Sequence, residues 1–218
     1  SKSVAITPDG KYITSGSLDN TIKIWDVKTG EYLNTFMGHN GLVNSVITTF
    51  DGKYIISGSS DKTIKIWDIK TGECLNTFEG HNDRVSSVTI TRDGKYIISG
   101  SYDYTIKIWD IKTGECLNTL KKSYSSGVNS VAIAHYGKYI ISASKDSLIK
   151  IWNIKTGKYL NTFKGHNDSV TSVTITPDSK YIVSGSYDNT IKIWDIKTGK
   201  CINTLKGHSR HVEIVKLT

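Results

Sequence analysis

The sequence has no long apolar run. None of its stretches approaches the roughly 20 apolar residues that a helix needs to cross a bilayer, which argues against a helical membrane span. Helical periodicity is missing as well, since no segment keeps apolar residues in helical register for three turns. Arginine is scarce: Arg84, Arg92 and Arg210 are the only three among 28 basic residues. A cluster of arginines built to read phosphorylated motifs is therefore disfavoured. Cysteine is rare and odd in number, at three, which argues against a disulfide framework. Cys74, Cys116 and Cys201 stand at one repeated slot ("GECLNT", "GECLNT", "GKCINT") where other copies hold Tyr32 and Tyr159. A slot open to Cys or Tyr asks for an apolar body, so the thiols are read as free packing groups in a reducing compartment. No charged-then-apolar leader opens the sequence at Ser1, so a secretory signal is either absent or removed upstream of this numbering.

Acid is scarce in the second half only. Residues 1–109 carry 10 Lys and 2 Arg against 12 acids, whereas residues 110–218 carry 15 Lys and 1 Arg against 8, so the whole net charge of +8 lies there. That asymmetry bears on partners rather than on fold.

What the sequence does have is repetition. Tryptophan occurs at 25, 67, 109, 152 and 194, with spacings of 42, 42, 43 and 42. "TIKIWD" stands at 21–26, 63–68, 105–110 and 190–195, with "LIKIWN" at 148–153, and "KTGE" or "KTGK" follows each. A repeat of this length is one supersecondary unit. Taking residues 38–78 as the pattern, strand a spans Val43–Thr48, strand b Tyr54–Ser57, strand c Thr63–Trp67 and strand d Cys74–Phe78, with Gly, Asp, Asn, Ser and Lys at the joints. One four-stranded sheet cannot bury both faces alone, and stacking copies radially solves this. The expected fold is all-β, a propeller of four-stranded antiparallel blades. It has five complete blades at about 1–36, 37–78, 79–120, 121–163 and 164–205, plus an extra strand a over 208–218, all in one domain.

The Gly-His, the Asp of the b–c turn and the closing Trp-Asp together resemble the WD-repeat (WD40) family, and the resemblance covers the whole chain. It implies a hydrogen-bonded network of His, Ser, Asp and Trp in each blade. These residues are His39, Ser57, Asp61 and Trp67 in blade 2; His81, Ser99, Asp103 and Trp109 in blade 3; and His166, Ser184, Asp188 and Trp194 in blade 5. Blade 1 keeps Ser15, Asp19 and Trp25, and blade 4 keeps Ser142, Asp146 and Trp152 without a histidine. A set repeated in several blades reads as structure, not as a catalytic triad, because an active site is normally single and no "GxSxG" elbow is present. The Gly-His histidines sit one per blade and do not converge on a metal. No cofactor is expected. The "WDxR" box of adaptor-docking propellers appears only as Trp-Asp-x-Lys, without the arginine fork, and the "FRRG" box of phosphoinositide-binding propellers is absent.

By the same resemblance, b–c turns and d–a loops form the top face. The residues before the turn Asp are among the most variable between copies: Leu18, Ser60, Tyr102, Lys145 and Tyr187. The d–a loops add Leu42, Arg84, Tyr124, Asp168 and Arg210. These are the candidate contacts for a protein or peptide partner, with Tyr102 and Tyr187 as anchors. Fifteen lysines at three repeated slots, among them Lys65, Lys107 and Lys150, read as a solvated face. Lys121, Lys122, Lys145 and Lys164 form a candidate basic patch. The alternative reading is an electrostatic binder of nucleic acid or anionic membrane through blades 4 and 5. An intracellular site follows, the cytoplasm first and the nucleus second.

Both ends of the sequence fall in strand a. The chain is either part of a larger propeller or a five-bladed ring in which His208 completes Ser15, Asp19 and Trp25. Since strand 1–7 would then be surplus, the first reading is preferred, and an unclosed ring leaves room for oligomers. Blade 4 departs most from the pattern. It enters through "LKKSYSSGVNS" (120–130), places His135-Tyr136 in the a–b turn, and carries Ala143, Leu148 and Asn153 in place of Gly, Thr and Asp. Decay of one blade between sound neighbours is favoured over retuning for a partner.

Overall fold

The computed structural model describes residues 3–121, 126–134 and 137–216. These form twenty strands, with no helix among the described residues. Sheet 1 is β1 (Ser3–Ile6), β2 (Tyr12–Gly16), β3 (Ile22–Asp26) and β4 (Tyr32–Phe36). Sheet 2 is β5 (Val43–Thr48), β6 (Tyr54–Ser59), β7 (Ile64–Asp68) and β8 (Cys74–Phe78). Sheet 3 is β9 (Val85–Ile90), β10 (Tyr96–Ser101), β11 (Ile106–Asp110) and β12 (Cys116–Leu120). Sheet 4 is β13 (Val128–Ile133), β14 (Tyr139–Ser144), β15 (Ile149–Asn153) and β16 (Tyr159–Phe163). Sheet 5 is β17 (Val170–Ile175), β18 (Tyr181–Ser186), β19 (Ile191–Asp195) and β20 (Cys201–Leu205). Each is an antiparallel meander a-b-c-d, the blade of a β-propeller. Strand b runs two residues beyond the expected Ser57, because Ser59 still pairs with Val43 across a bulge.

The chain divides into two compact units, Ser1–Asp103 with Ile108–Leu117 and Tyr104–Lys107 with Asn118–Thr218. Within each, burial falls from strand b to strand d. In β6, Ile55 to Ser59 are all buried, whereas β8 opens on two exposed residues. Strand b is bonded on both sides, and strand d is an edge. Here the expectation for the thiols needs correction: Cys74, Cys116 and Cys201 are exposed rather than packed. The slot takes Cys or Tyr because solvent lies beside it.

Sheets within a unit pack through two devices. The aromatic at the end of strand d meets the next sheet's tryptophan edge to face, Phe36 on Trp67 at 6.1 Å and Phe163 on Trp194 at 5.9 Å. The glycine of strand b lets the next sheet approach: a β-carbon at Gly58 would lie 2.7 Å from Val85 Cγ1. Residues 211–216 repeat that contact, because a β-carbon at Gly185 would lie 2.7 Å from Val212 Cγ1, and Val212 N donates to Ser186 O at 3.0 Å. The tail thus holds a strand-a position against β17 without becoming a strand, since no strand b pairs with it. His208 is exposed.

Candidate functional site

In sheets 2, 3 and 5, at the end formed by the b–c turn and the d–a loop, the turn aspartate acts as a clasp. In sheet 2, Lys62 takes a left-handed φ of 74°, which folds the turn and brings Asp61 under the preceding loop. Asp61 Oδ1 accepts from Thr63 N and Oγ1 at 3.0 and 2.7 Å, and Oδ2 accepts from Asn40 N at 2.9 Å and contacts His39 Nδ1 at 2.7 Å. His39 Nε2 lies 2.7 Å from Ser57 Oγ, which accepts Trp67 Nε1 at 2.8 Å. With Nδ1–H donating to the carboxylate, Nε2 accepts the serine proton, and every group in the chain is satisfied. Sheets 3 and 5 repeat these distances at His81, Asp103, Ser99 and Trp109, and at His166, Asp188, Ser184 and Trp194.

Charge follows geometry. Burial pushes the Asp61 carboxyl up, but hydrogen bonds from His39 and Thr63 outweigh it and hold it well below the usual carboxylate range. Asp188, under the same opposition of burial against Thr190 and His166, is lowered to about 2. Burial depresses His166 against the pull of Asp188, favouring the neutral ring that the tautomer requires. The resemblance to a hydrolase triad ends at access: Ser57, Ser99 and Ser184 have 0% exposure, so no substrate reaches them.

Sheets 1 and 4 depart from this. Ser15 Oγ accepts Trp25 Nε1 at the longer distance of 3.3 Å, and Trp25 is only half-buried. In sheet 4, Trp152 Nε1 still reaches Ser142 Oγ at 3.1 Å, and Asp146 Oδ1 still accepts Leu148 N at 3.2 Å. Asp146 Oδ2, however, is buried and accepts no hydrogen bond among the described residues. Its partner is Lys150 Nζ at 3.6 Å, with both side chains more than nine-tenths buried. The expectation that Lys150 belongs to a solvated face is therefore wrong. The equivalent Lys65, Lys107 and Lys192 reach outward to Thr77, Thr119 and Thr204 at 2.8, 2.8 and 2.9 Å. In sheet 4 the hydroxyl of Tyr159 occupies Thr162 and no Gly-His histidine precedes the aspartate; sheet 1 shares both features at Tyr32 and Thr35, yet its Lys23 lies over the Tyr32 ring at 5.6 Å.

Above the clasps lie the varied residues. In sheets 2 to 5 a main-chain bond joins the turn to its loop: Ser60 N to Leu42 O at 2.8 Å, Tyr102 N to Arg84 O at 3.0 Å, Lys145 N to Gly127 O at 3.0 Å, and Tyr187 N to Ser169 O at 3.0 Å. The Arg84 guanidinium sits over the Tyr102 ring at 3.6 Å, and both are half-buried. Tyr187 is 49% exposed and its ring packs at a tilt of 44° against His211, with centroids 4.6 Å apart. Leu18 is 55% exposed; Lys121, Lys145, Lys164 and Arg210 are exposed too, and Ser60 Oγ accepts from Asn44 Nδ2. Lys122 and Tyr124 lie outside the described residues. Sequence reasoning placed Asp168 and Arg210 one position early: the structural counterparts of Leu42 and Arg84 are Ser169 and His211. Counting three residues from each Gly-His histidine would have found them. Exposed Tyr104 and Met37 were also missed, and at 47% and 76% exposure they stand at the same end.

The model of the WD domain, G-beta repeat, matches residues 2–26, 30–68, 72–110, 114–153 and 157–195. The chain belongs to the WD40 family. Its WD repeats imply a protein-interaction scaffold. Among curated relatives, it is 42% identical over 41 residues to U3 snoRNP-associated protein-like YAOH of Oryza sativa subsp. japonica, covering 19% of this chain and 8% of that protein. It is 54% identical over 33 residues to ribosome assembly protein 4 of Saccharomyces cerevisiae, covering 15% and 6%. It is 46% identical over 52 residues to nuclear distribution protein PAC1 of Candida albicans, covering 21% and 10%. The matched stretches thus span a tenth or less of these relatives' own length, about one WD repeat each.

Proposed function

We propose that this WD40 chain is a non-enzymatic interaction module. It holds a protein or peptide at the end of its sheets where b–c turns meet d–a loops, with the five blades acting as one domain. The observation that carries this reading is the contrast at that end. The His, Ser, Asp and Trp groups beneath are repeated in sheets 2, 3 and 5, while the position above them varies among Leu18, Ser60, Lys145 and a tyrosine, Tyr102 in sheet 3 and Tyr187 in sheet 5. Repeated positions hold the fold, and varied ones are free to recognise. Tyr102 under Arg84 and Tyr187 beside His211 offer large amphipathic surfaces whose rotamers are already restrained, which lowers the entropy cost of docking. The names of the relatives, a snoRNP-associated protein-like protein and a ribosome assembly protein, support a part in building a large complex.

Hydrogen exchange on the chain with a captured partner tests the placement. Exchange is expected to slow at the b–c turns around Asp61, Asp103, Asp146 and Asp188. Protection confined to the opposite, c–d turn end would overturn it.

A further inference from the structure

The opposite end of the sheets, where a–b and c–d turns lie, holds a second feature confined to sheet 4. In sheets 1 to 3 this end carries three acids each, such as Asp9, Asp26 and Glu31 in sheet 1. In sheet 4 all three are gone: Tyr136, Asn153 and Lys158 stand in their places. Asn153 still performs the turn's structural task, because its Oδ1 accepts Thr156 N at 2.9 Å as Asp26 Oδ1 accepts Thr29 N at 2.8 Å. The turn is kept and the charge is dropped. What remains is Lys138, Lys155 and Lys158, all exposed, with no acid at that end of the sheet. Unit 2 as a whole has 16 basic residues against 6 acids in sequence.

A cavity of about 110 Å³ opens in the same place, within unit 2. Ala134, Tyr139, Ile141, Ile151 and Ile196 wall it, together with Lys138 and Ser179. Its origin is legible. Four sheets hold a threonine where Ala134 stands, and in sheet 1 Thr7 Oγ1 donates to Asp9 at 2.7 Å and accepts Tyr12 N at 3.0 Å. Ala134 has neither that hydroxyl nor the methyl, and its short side chain forms part of the cavity wall.

We infer that this end of sheet 4 is a docking site for an acidic peptide that inserts one apolar side chain. The size fits one branched aliphatic or aromatic group, and the largely hydrocarbon wall rewards its burial. The lysines complement flanking carboxylates. A nucleobase would leave its polar edges without partners in such a wall. A bilayer calls for apolar groups that protrude, whereas these are recessed.

Fluorescence anisotropy tests this with the full chain and a labelled glutamate-rich peptide bearing one central leucine. Saturable binding is expected to weaken about tenfold or more when that leucine becomes glycine, and again with Ala134→Thr, as for a hydrophobic pocket losing its occupant. Lys158→Glu should weaken it and reduce its salt dependence. Both substitutions install the residue found in other sheets, so the fold is expected to persist, as a thermal melt verifies. Absence of saturable binding, or binding indifferent to Ala134→Thr, overturns the site. Tighter binding of oligothymidine or phosphatidylserine vesicles than of the peptide overturns the peptide assignment.

Discussion

Lys150 Nζ stands 3.6 Å from Asp146 Oδ2 inside sheet 4, in the role that a histidine fills in sheets 2, 3 and 5. A buried ion pair costs much desolvation, and removing one partner leaves the other uncompensated. Lys150→Ala is therefore expected to lower unfolding free energy by about 3 kcal/mol or more. Lys65→Ala, which removes one half-buried hydrogen bond, should cost about 1 kcal/mol. Urea denaturation of both variants checks this, and equal costs would contradict the inward role of Lys150.

The serine at the centre of each network bridges indole and imidazole. Ser99→Ala leaves the Trp109 N–H and His81 Nε2 without that partner in a fully buried place, at an expected cost of about 2–3 kcal/mol. Ser15→Ala should cost clearly less, because its bond to Trp25 is 3.3 Å long and the indole is half-buried. Denaturant midpoints for the pair decide it.

Acid should lower the chain's stability over two pH ranges. The folded value of His166 lies below its ordinary 6.5, so its contribution is present above that pH and is lost as pH falls below it. The folded value of Asp188 lies at about 2 against an ordinary 3.8, so its contribution is lost as pH falls from about 4 toward 2. Both signs agree. Unfolding free energy measured across this range should decline first near neutrality and again below about pH 4. Stability that rises on acidification from pH 7 to 5 would contradict the account.

Gly58 permits close approach of sheet 3. A β-carbon there would meet Val85 Cγ1 at 2.7 Å, so Gly58→Ala should cost about 1–3 kcal/mol through overpacking. Val85→Ala in the same chain should recover part of that loss. A double-mutant cycle showing simple additivity would argue against the steric reading.

Much of the fold was legible because each local signal agreed with the next. The Trp spacing, the turn residues and the alternation in the strands all point to one meander, repeated five times. The solvent exposure of Cys74 was not legible, because a Cys-or-Tyr slot reads alike in a core and at an edge. Nor was the burial of Lys150: its slot is the same as that of Lys65, and nothing in the repeat pattern sets the two apart. The pairing of Arg84 with Tyr102 and of Tyr187 with His211 joins residues 18 and 24 positions apart, which no local pattern announces.

The most direct test of the interaction reading is affinity capture with the intact gene product, comparing the native protein with Tyr102→Ala/Tyr187→Ala and reading bound proteins by mass spectrometry. The account predicts that specific partners are lost or strongly reduced while the melting temperature stays nearly unchanged. Full retention of the same partners by the folded double variant would contradict it.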